Sequence, residues 1–319
     1  MRLRPERLGI EEGLFLMGAW MNDMVAPGEA SIPKRIARFF ARKWMLMGSN
    51  SLPDYRPPTT DELVQIESQL SAAGISINSL TVNADDFIDF KRKFAFPADY
   101  YCGSDGPVYE EKLLEHYIAC RLIDFGRPHR LPYLDVTACA SPWAKLLRDN
   151  GIQAFAIDIK PTGPYAGLPF YEKQDATATR FGSASIGSAS LQCAFEMFIG
   201  DNDTGLVVEL SRILRAGGRA VIAPLYMHTH ACHYQSPDYI GRTTGDPGAA
   251  TYIRRDIWGI ASSRKYSSAT LIERVLEPAR RHGLIASLHA VRNAHEIHPK
   301  AYMHFVLVLD KPDTDRETE

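Results

Sequence analysis

The chain has 319 residues, 45% apolar and 23% charged, enough to bury a sizeable core as one large domain or as a core with an accessory part. A net charge of −2 argues against a nucleic-acid-binding surface, and no apolar run approaches the ~18 residues that a membrane span requires. Five cysteines without metal-type CxxC spacing indicate reduced thiols and a cytoplasmic location.

The N-terminal region, residues 1–128, lacks alternating strand patterns and is predicted to be mainly helical. Residues 33–44 place their large apolar side chains on one stripe, which predicts a helix docked on the core with a solvated basic face. Thr60 is the predicted N-cap of a second helix, which ends near Gly74. A further amphipathic helix is predicted over 106–126.

From residue 131 the pattern alternates between strands and helices. Helices are predicted over 143–150, 203–218 and 268–283, the last bent at Pro278, and strands over 131–138, 152–159, 168–176, 189–198, 219–226, 284–291 and 301–310. This alternation predicts an α/β fold with a doubly wound, mostly parallel seven-stranded sheet. The loop before the last strand is too short for a crossover helix, which predicts a C-terminal antiparallel hairpin at the sheet edge.

Two regions follow from these patterns. Residues 1–128 form a helical N-terminal or cap region, and residues 129–319 form the α/β domain. Residues 226–267 are an insertion longer than a strand–helix connection needs, so a substrate lid is a reasonable reading.

Four segments carry a family resemblance. LDVTACAS (134–141), AIDI (156–159), QDATATRFGSASIGSASLQCAFEMF (174–198) and LVVELSRILRAGGRAVIAPL (206–225) occur in that order. In content and order they resemble the motifs of the class I, Rossmann-like S-adenosylmethionine (SAM)-dependent methyltransferases. The resemblance covers roughly residues 105–311. It implies this fold, SAM as cofactor and a methyl-transfer activity.

The resemblance also implies a set of cofactor-binding residues. Asp135 and its loop would lie beside the methionine moiety, Asp158 would accept hydrogen bonds from the ribose hydroxyls, and Asp175 would face the adenine. Asp158 and Asp175 could instead be a strand-end cap and a turn residue. The full implied set is Asp135, Thr137, Ala138, Cys139, Ser141, Asp158, Ile159, Asp175, Ala176, Gln192 and Cys193.

The loop after the first strand of this domain departs from the family pattern. Glycines of the family fall at the positions of Thr137, Cys139 and Ser141. A dinucleotide needs glycine there so that the backbone can reach its pyrophosphate, whereas SAM has no phosphate. The substitutions therefore argue against NAD far more than against SAM. A left-handed backbone at these positions would cost about 1 kcal/mol or more.

Glu196, His228 and His230 are the candidate catalytic residues. Glu196 follows the fourth strand and could act as a base or serve a structural role. His228 and His230 follow the fifth strand and could face a substrate, remain solvated or, with His233, bind a metal. Their spacing matches no standard zinc pattern, so no metal site is predicted.

The leading functional hypothesis is SAM-dependent O-methylation of a small molecule such as a sugar or a secondary metabolite. N-methylation stays open, as does a homo-oligomeric state, and no nucleic-acid or membrane partner is expected. Two alternatives remain. One is a catalytically inactive methyltransferase-like scaffold or regulatory protein, and the other is metal-assisted chemistry on the same fold.

Overall fold

A twisted, mostly parallel sheet with helices on both faces forms the centre of the molecule. The computed structural model describes residues 45–47, 51–103, 108–243, 245–299 and 301–313. The helix predicted over 33–44 lies outside these ranges.

The central sheet has eight strands. In chain order they are β1 (Ile77–Leu80), β2 (Tyr133–Val136), β3 (Ala154–Asp158), β4 (Tyr171–Lys173), β5 (Ile186–Gln192), β6 (Leu214–Leu225), β10 (Ile285–Val291) and β11 (Phe305–Asp310), and three further strands, β7–β9, lie in a separate sheet. Their spatial order is β1-β10-β11-β6-β5-β2-β3-β4. Only β11 runs antiparallel to its neighbours, β10 and β6. The predicted doubly wound sheet with a C-terminal antiparallel pair is confirmed.

The edge of the sheet differs from the prediction. The antiparallel pair does not form the edge, because β11 lies between β10 and β6 and β1 pairs in parallel with β10. The N-terminal region thus contributes an eighth strand. Its sequence, INSL, has its two middle residues exposed and carries no alternation that would have revealed a strand.

Eight helices lie in the described ranges. They are α1 (Thr60–Ala72), α2 (Ala84–Phe94), α3 (Tyr109–Ile123), α4 (Trp143–Asp149), α5 (Asn202–Ile213), α6 (Ser268–Leu271), α7 (Glu277–Arg281) and α8 (Ala294–Ile297). A π-helical turn, Ile272–Leu276, joins α6 to α7 just before Pro278, where the sequence predicted a bend. Every helix in these ranges is too short or too polar to span a bilayer.

Several predicted boundaries shift. Thr59 rather than Thr60 is the N-cap of α1, and it forms a capping box with Glu62. The fourth strand of the α/β domain ends at Gln192 instead of extending to 198, because a 3₁₀ turn follows. Helix α5 ends at Ile213, so the two glycines predicted to end it lie within β6.

Two apolar layers hold the helices to the sheet. On one face, α1, α5 and the α6–α7 segment pack against the sheet through residues such as Ile66, Leu210 and Val275. On the other face, α2, α3 and α4 pack through residues such as Phe90, Leu113 and Trp143. Helices α1–α3 belong to the N-terminal region, so that region is part of both layers of the core.

The insertion folds into a small second sheet. Its strands are β7 (Cys232–Gln235), β8 (Ala250–Ile253) and β9 (Ser263–Lys265), in the order β8-β7-β9. The N-terminal segment packs on this sheet, since the backbone N–H of Tyr55 donates to the carbonyl oxygen of Ile253 at 2.8 Å.

A buried ionic network joins the insertion to the α/β core. Asp203, at the start of α5, is fully buried and accepts hydrogen bonds from Tyr266 at 2.8 Å and from Arg274 at 2.7 and 2.9 Å. Arg264 of β9 lies 2.9 Å from the same carboxylate. One carboxylate therefore compensates two cations from two different parts of the chain.

Removing this carboxylate is expected to destabilise the fold strongly. Asp203→Ala leaves Arg264 and Arg274 without their shared counter-charge, and breaking a buried pair in this way costs about 3–5 kcal/mol. Urea unfolding of the variant measures the loss. Asp201→Ala is the matched control, because the Asp201 side chain is 94% exposed and lies 3.5 Å from Arg274. Equal effects of the two substitutions would contradict the prediction.

Candidate functional site

One large cavity opens at the carboxyl ends of β2, β3 and β5. The space inside it, with the solvent at its open mouth, is about 1530 Å³. It lies where the strand order reverses between β2 and β5, the usual ligand position in open α/β sheets. All eleven predicted cofactor-binding residues line it: Asp135, Thr137, Ala138, Cys139, Ser141, Asp158, Ile159, Asp175, Ala176, Gln192 and Cys193.

The glycine-free loop adopts the backbone that glycine would favour. Thr137 has φ of 59° and Cys139 has φ of 49°, both in the left-handed region. These are two of the three positions at which the family has glycine. The loop thus keeps the left-handed backbone conformation that glycine favours, and this conformation is strained at Thr137 and Cys139 because both residues carry a Cβ.

Hydrogen bonds from three directions hold that conformation. The backbone N–H of Cys139 donates to Asp158 Oδ2 at 2.8 Å, and the Tyr171 hydroxyl donates to the Cys139 carbonyl oxygen. Ser141 Oγ accepts from the N–H of Trp143, the first residue of α4, at 3.1 Å. The small side chains of Ala138 and Cys139 leave the cavity open above the loop.

Asp135 has a buried, unpaired oxygen beside the cavity. It is only 1% exposed, and its Oδ2 has no hydrogen-bond partner among the described residues. Burial raises the pKa of Asp135 to about 8, although a hydrogen bond from Ser141 offsets part of this effect. A buried carboxyl oxygen without a partner is costly, so a cationic ligand group would be favoured here.

His116 offers a second unpaired polar atom on the same cavity. Its Nε2 lies 3.0 Å from the Tyr100 hydroxyl, while its Nδ1 has no partner among the described residues. Burial and the nearby Lys112 lower the pKa of His116 to about 3, so the imidazole is neutral. The structure therefore places two buried polar atoms, Asp135 Oδ2 and His116 Nδ1, on the wall of one cavity.

Asp158 and Asp175 differ in burial and in the hydrogen bonds that each carboxylate already accepts within the protein. Asp158 is buried and accepts backbone N–H bonds on both oxygens, from Cys139 and from Lys160 at 2.7 Å. Each carboxylate oxygen can accept a second bond, so Asp158 can still take two hydroxyl donors. Asp175 is exposed, and its Oδ1 accepts from the N–H and hydroxyl of Thr177, as the turn interpretation predicted.

The floor of the cavity leads to Glu196. Cys193 has φ of 50°, and its Sγ lies 3.4 Å from Glu196 Oε1 and 3.5 Å from the Tyr226 hydroxyl. Burial raises the pKa of Cys193 to about 12, so the thiol stays protonated. Glu196 lies behind this thiol rather than on the cavity wall, and its buried Oε2 has no partner among the described residues.

The N-terminal region forms the opposite wall with Tyr100, Tyr101, Lys112 and His116. Lys112 is buried, and its Nζ lies 3.0 Å from both oxygens of Glu115. The sequence analysis did not single out Lys112. It follows two glutamates in α3, so the sequence gives little sign that its side chain is buried.

His228 and His230 lie elsewhere, and neither lines the cavity. They belong to the connection between β6 and β7, with ring centroids 4.4 Å apart. His230 Nε2 lies 2.9 Å from the Tyr252 hydroxyl. The expectation that these histidines face the substrate is therefore corrected. They lie in the segment that leads from β6 into the small sheet, and this segment does not line the cavity.

Comparisons with known proteins give structural similarities only. No protein-family model matches the chain, and no curated protein does. A 1,6-didemethyltoxoflavin N1-methyltransferase of Burkholderia thailandensis, with bound 1,6-didemethyltoxoflavin and S-adenosylhomocysteine, is 16% identical with a TM-score of 0.45, covering 74% of this chain and 94% of its own.

Two further solved structures are similar at the same level. A SAM-dependent methyltransferase of Mesorhizobium loti is 14% identical with a TM-score of 0.41, over 62% of this chain and 97% of its own. A geranyl diphosphate methyltransferase in complex with geranyl diphosphate (GPP) and sinefungin is 14% identical with a TM-score of 0.38, over 77% and 94%. Similarities this weak give no information on the substrate.

The left-handed backbone at Cys139 should be measurable as strain. We expect Cys139→Gly to be more stable than Cys139→Ala by about 1 kcal/mol, because alanine bears the left-handed penalty and glycine does not. Ala140, whose φ is not positive, is the matched control. Ala140→Gly should lower the free energy of unfolding by up to about 1 kcal/mol. Urea unfolding checks both, and equal stability of the two Cys139 variants would contradict the prediction.

The buried Asp135 should make the ligand-free protein sensitive to pH. Its folded pKa of about 8 lies above the ordinary value of 3.8, so between about pH 4 and 8 the folded chain holds a proton that the unfolded chain has released. Stability therefore falls as pH rises through this window, by at most about 1.4 kcal/mol per unit. Asp135→Asn cannot ionise, so it should gain stability relative to wild type from pH 5 to pH 8. A constant difference in urea unfolding would contradict this.

Proposed function

We propose that the chain binds SAM and transfers its methyl group to a small molecule. The observation that carries the proposal is the buried, unpartnered Oδ2 of Asp135 at the carboxyl end of β2. An ammonium group there would supply the missing donors and hold the carboxylate in its charged form. The amino-acid end of SAM presents such a group, whereas the pyrophosphate of NAD would bring negative charge next to Asp135 and Asp158.

The remaining parts of the cavity fit the other parts of SAM. Asp158 has acceptor capacity left for ribose hydroxyls, and Gln174 to Thr177 line the side on which the resemblance puts the adenine. The neutral His116 Nδ1 can accept or donate a hydrogen bond at the opposite wall. When bound, SAM supplies a methyl group that its sulfonium has already activated.

The acceptor side of the site supports O-methylation. A hydroxyl acceptor has to lose its proton as it is methylated, and a positioned carboxylate can take that proton. Glu196 has a buried oxygen without a partner and lies 3.4 Å from the Cys193 thiol on the cavity floor. Because Glu196 does not line the cavity itself, we assign it the role of base acting through Cys193, whose thiol passes its proton to Glu196 as it takes up the proton of the acceptor hydroxyl. Cys193, as a protonated thiol, donates to Glu196 Oε1 and so orients the carboxylate.

The size of the acceptor follows from what covers the cavity. Ala261 and Ser262 of the insertion line it, as do Tyr100 and Tyr101 of the N-terminal region. We infer that both regions act as covers, as the predicted cap and lid would. A cavity covered in this way suits a small hydroxylated molecule such as a sugar or a secondary metabolite.

The proposal predicts separate effects of two substitutions. We expect wild-type protein to bind SAM and not NAD in calorimetry, and Asp158→Ala to lose at least about tenfold in SAM affinity, since hydrogen bonds to a charged group contribute about 1.5–3 kcal/mol. Glu196→Gln should keep the wild-type SAM affinity and lose methyl transfer. Transfer is measured with methyl-labelled SAM and a panel of sugars and phenols.

Asp149→Ala is the matched control for Asp158→Ala, because Asp149 is an exposed aspartate paired with Lys145 on α4. Thermal unfolding without ligand verifies that each variant is folded. Absence of SAM binding by the folded wild type would refute the cofactor assignment and favour an inactive scaffold. SAM binding without transfer to any hydroxyl compound would refute only the acceptor class.

A further inference from the structure

Three metal-ligand side chains lie together outside the cavity. His228, His230 and Cys232, here called the His–His–Cys cluster, each place one donor atom within 4.8 Å of the others. They alternate in the sequence, and Cys232 is the first residue of β7. In a tetrahedral zinc site, the bond lengths imply donor separations of about 3.3–3.6 Å. A contraction of roughly 1 Å would bring the cluster into this range.

The surroundings orient the two imidazoles as ligands. Thr229 Oγ1 lies 3.2 Å from His228 Nδ1 and 3.3 Å from His230 Nδ1. When both Nδ1–H groups donate to this oxygen, the Nε2 lone pairs are the ones available to a metal. Metal-binding histidines usually have such a partner on the other ring nitrogen. The Tyr252 hydroxyl lies 2.9 Å from His230 Nε2, and a metal bound at this nitrogen would replace that contact.

His233, which the sequence grouped with His228 and His230, belongs to another contact. Its Nδ1 lies 3.1 Å from Ser262 Oγ, and its Nε2 lies 2.7 Å from Thr251 Oγ1. Gly245 packs so closely on the ring that a Cβ there would lie 2.2 Å from His233 Cε1. His233 thus contributes no donor atom to the cluster, in which Cys232 takes the third position.

We propose that the His–His–Cys cluster binds Zn²⁺ through three protein ligands and leaves a fourth coordination position open. Two imidazoles and one thiolate suit Zn²⁺, whereas Mg²⁺ and Ca²⁺ require oxygen ligands. The metal would join the end of β6 to the start of β7 and so fix the small sheet whose segment before β9 lines the cavity. The proposal is independent of methyl transfer.

Zinc binding to the whole chain tests the proposal. The protein is dialysed against chelator and titrated with Zn²⁺ in competition with a chromophoric chelator. We expect one Zn²⁺ per chain and a higher thermal unfolding temperature with the metal. Co²⁺ in place of Zn²⁺ should give a near-ultraviolet thiolate-to-metal absorption band.

Two ligand variants and two controls make the test specific. Cys232→Ser should abolish the cobalt–thiolate band and weaken zinc binding at least about 100-fold. Removing only a residue that hydrogen-bonds to a metal ligand already costs up to about 100-fold in metal affinity, and Cys232 is itself a ligand. His230→Ala, at a partly exposed position, gives a second reading if Cys232→Ser fails to fold. Cys120→Ser on α3 and His282→Ala at the end of α7 should bind as wild type. Absent zinc binding, or unchanged affinity in folded ligand variants, would overturn the proposal.

Discussion

The hydrogen bond between the Asp158 carboxylate and the backbone N–H of Cys139 sets the shape of the site. It joins the end of β3 to the loop after β2 across the carboxyl edge of the sheet. Parallel strands direct their carboxyl ends to one edge of the sheet. The pairing of β2 with β3 therefore brings these two chain segments together, whatever residues the loop contains. With the loop fixed, Asp135 lines the cavity at the carboxyl end of β2.

That arrangement carries an energetic cost that the core has to offset. Thr137, Cys139 and Cys193 all have left-handed backbones at the cavity, each costing about 1–2 kcal/mol relative to glycine. Asp135, His116 and Glu196 add buried polar atoms that have no partner among the described residues. Strain and unpaired polar atoms at one cavity, with two apolar layers around it, are typical of a site organised for a ligand rather than for stability. The unusual loop therefore does not indicate an abandoned site.

The insertion, which contributes part of the cavity lining, is held in place by charged contacts as well as by apolar packing. Arg264 of β9 is buried between Asp203 of the core and Asp246 of the insertion, with bonds of 2.6 and 2.7 Å to Asp246. Lys265, beside it, lies 3.8 Å from the centroid of the Tyr226 ring. Because Tyr226 also contacts Cys193, the insertion and the cavity floor form one connected structure.

The sequence by itself determined the α/β class, the order of the main strands and the acids that end them. These features depend on local apolar runs and on motifs a few residues long, which a single chain displays directly. Only the tertiary structure revealed three features: the edge strand β1, the position of Lys112 in the cavity lining, and the grouping of Cys232 rather than His233 with His228 and His230. Each depends on which distant segment lies alongside: β10 for β1, the cavity for Lys112, and the hydroxyls of Ser262 and Thr251 for His233. Residue order fixes which side chains are available, but the packing of distant segments decides which of them meet.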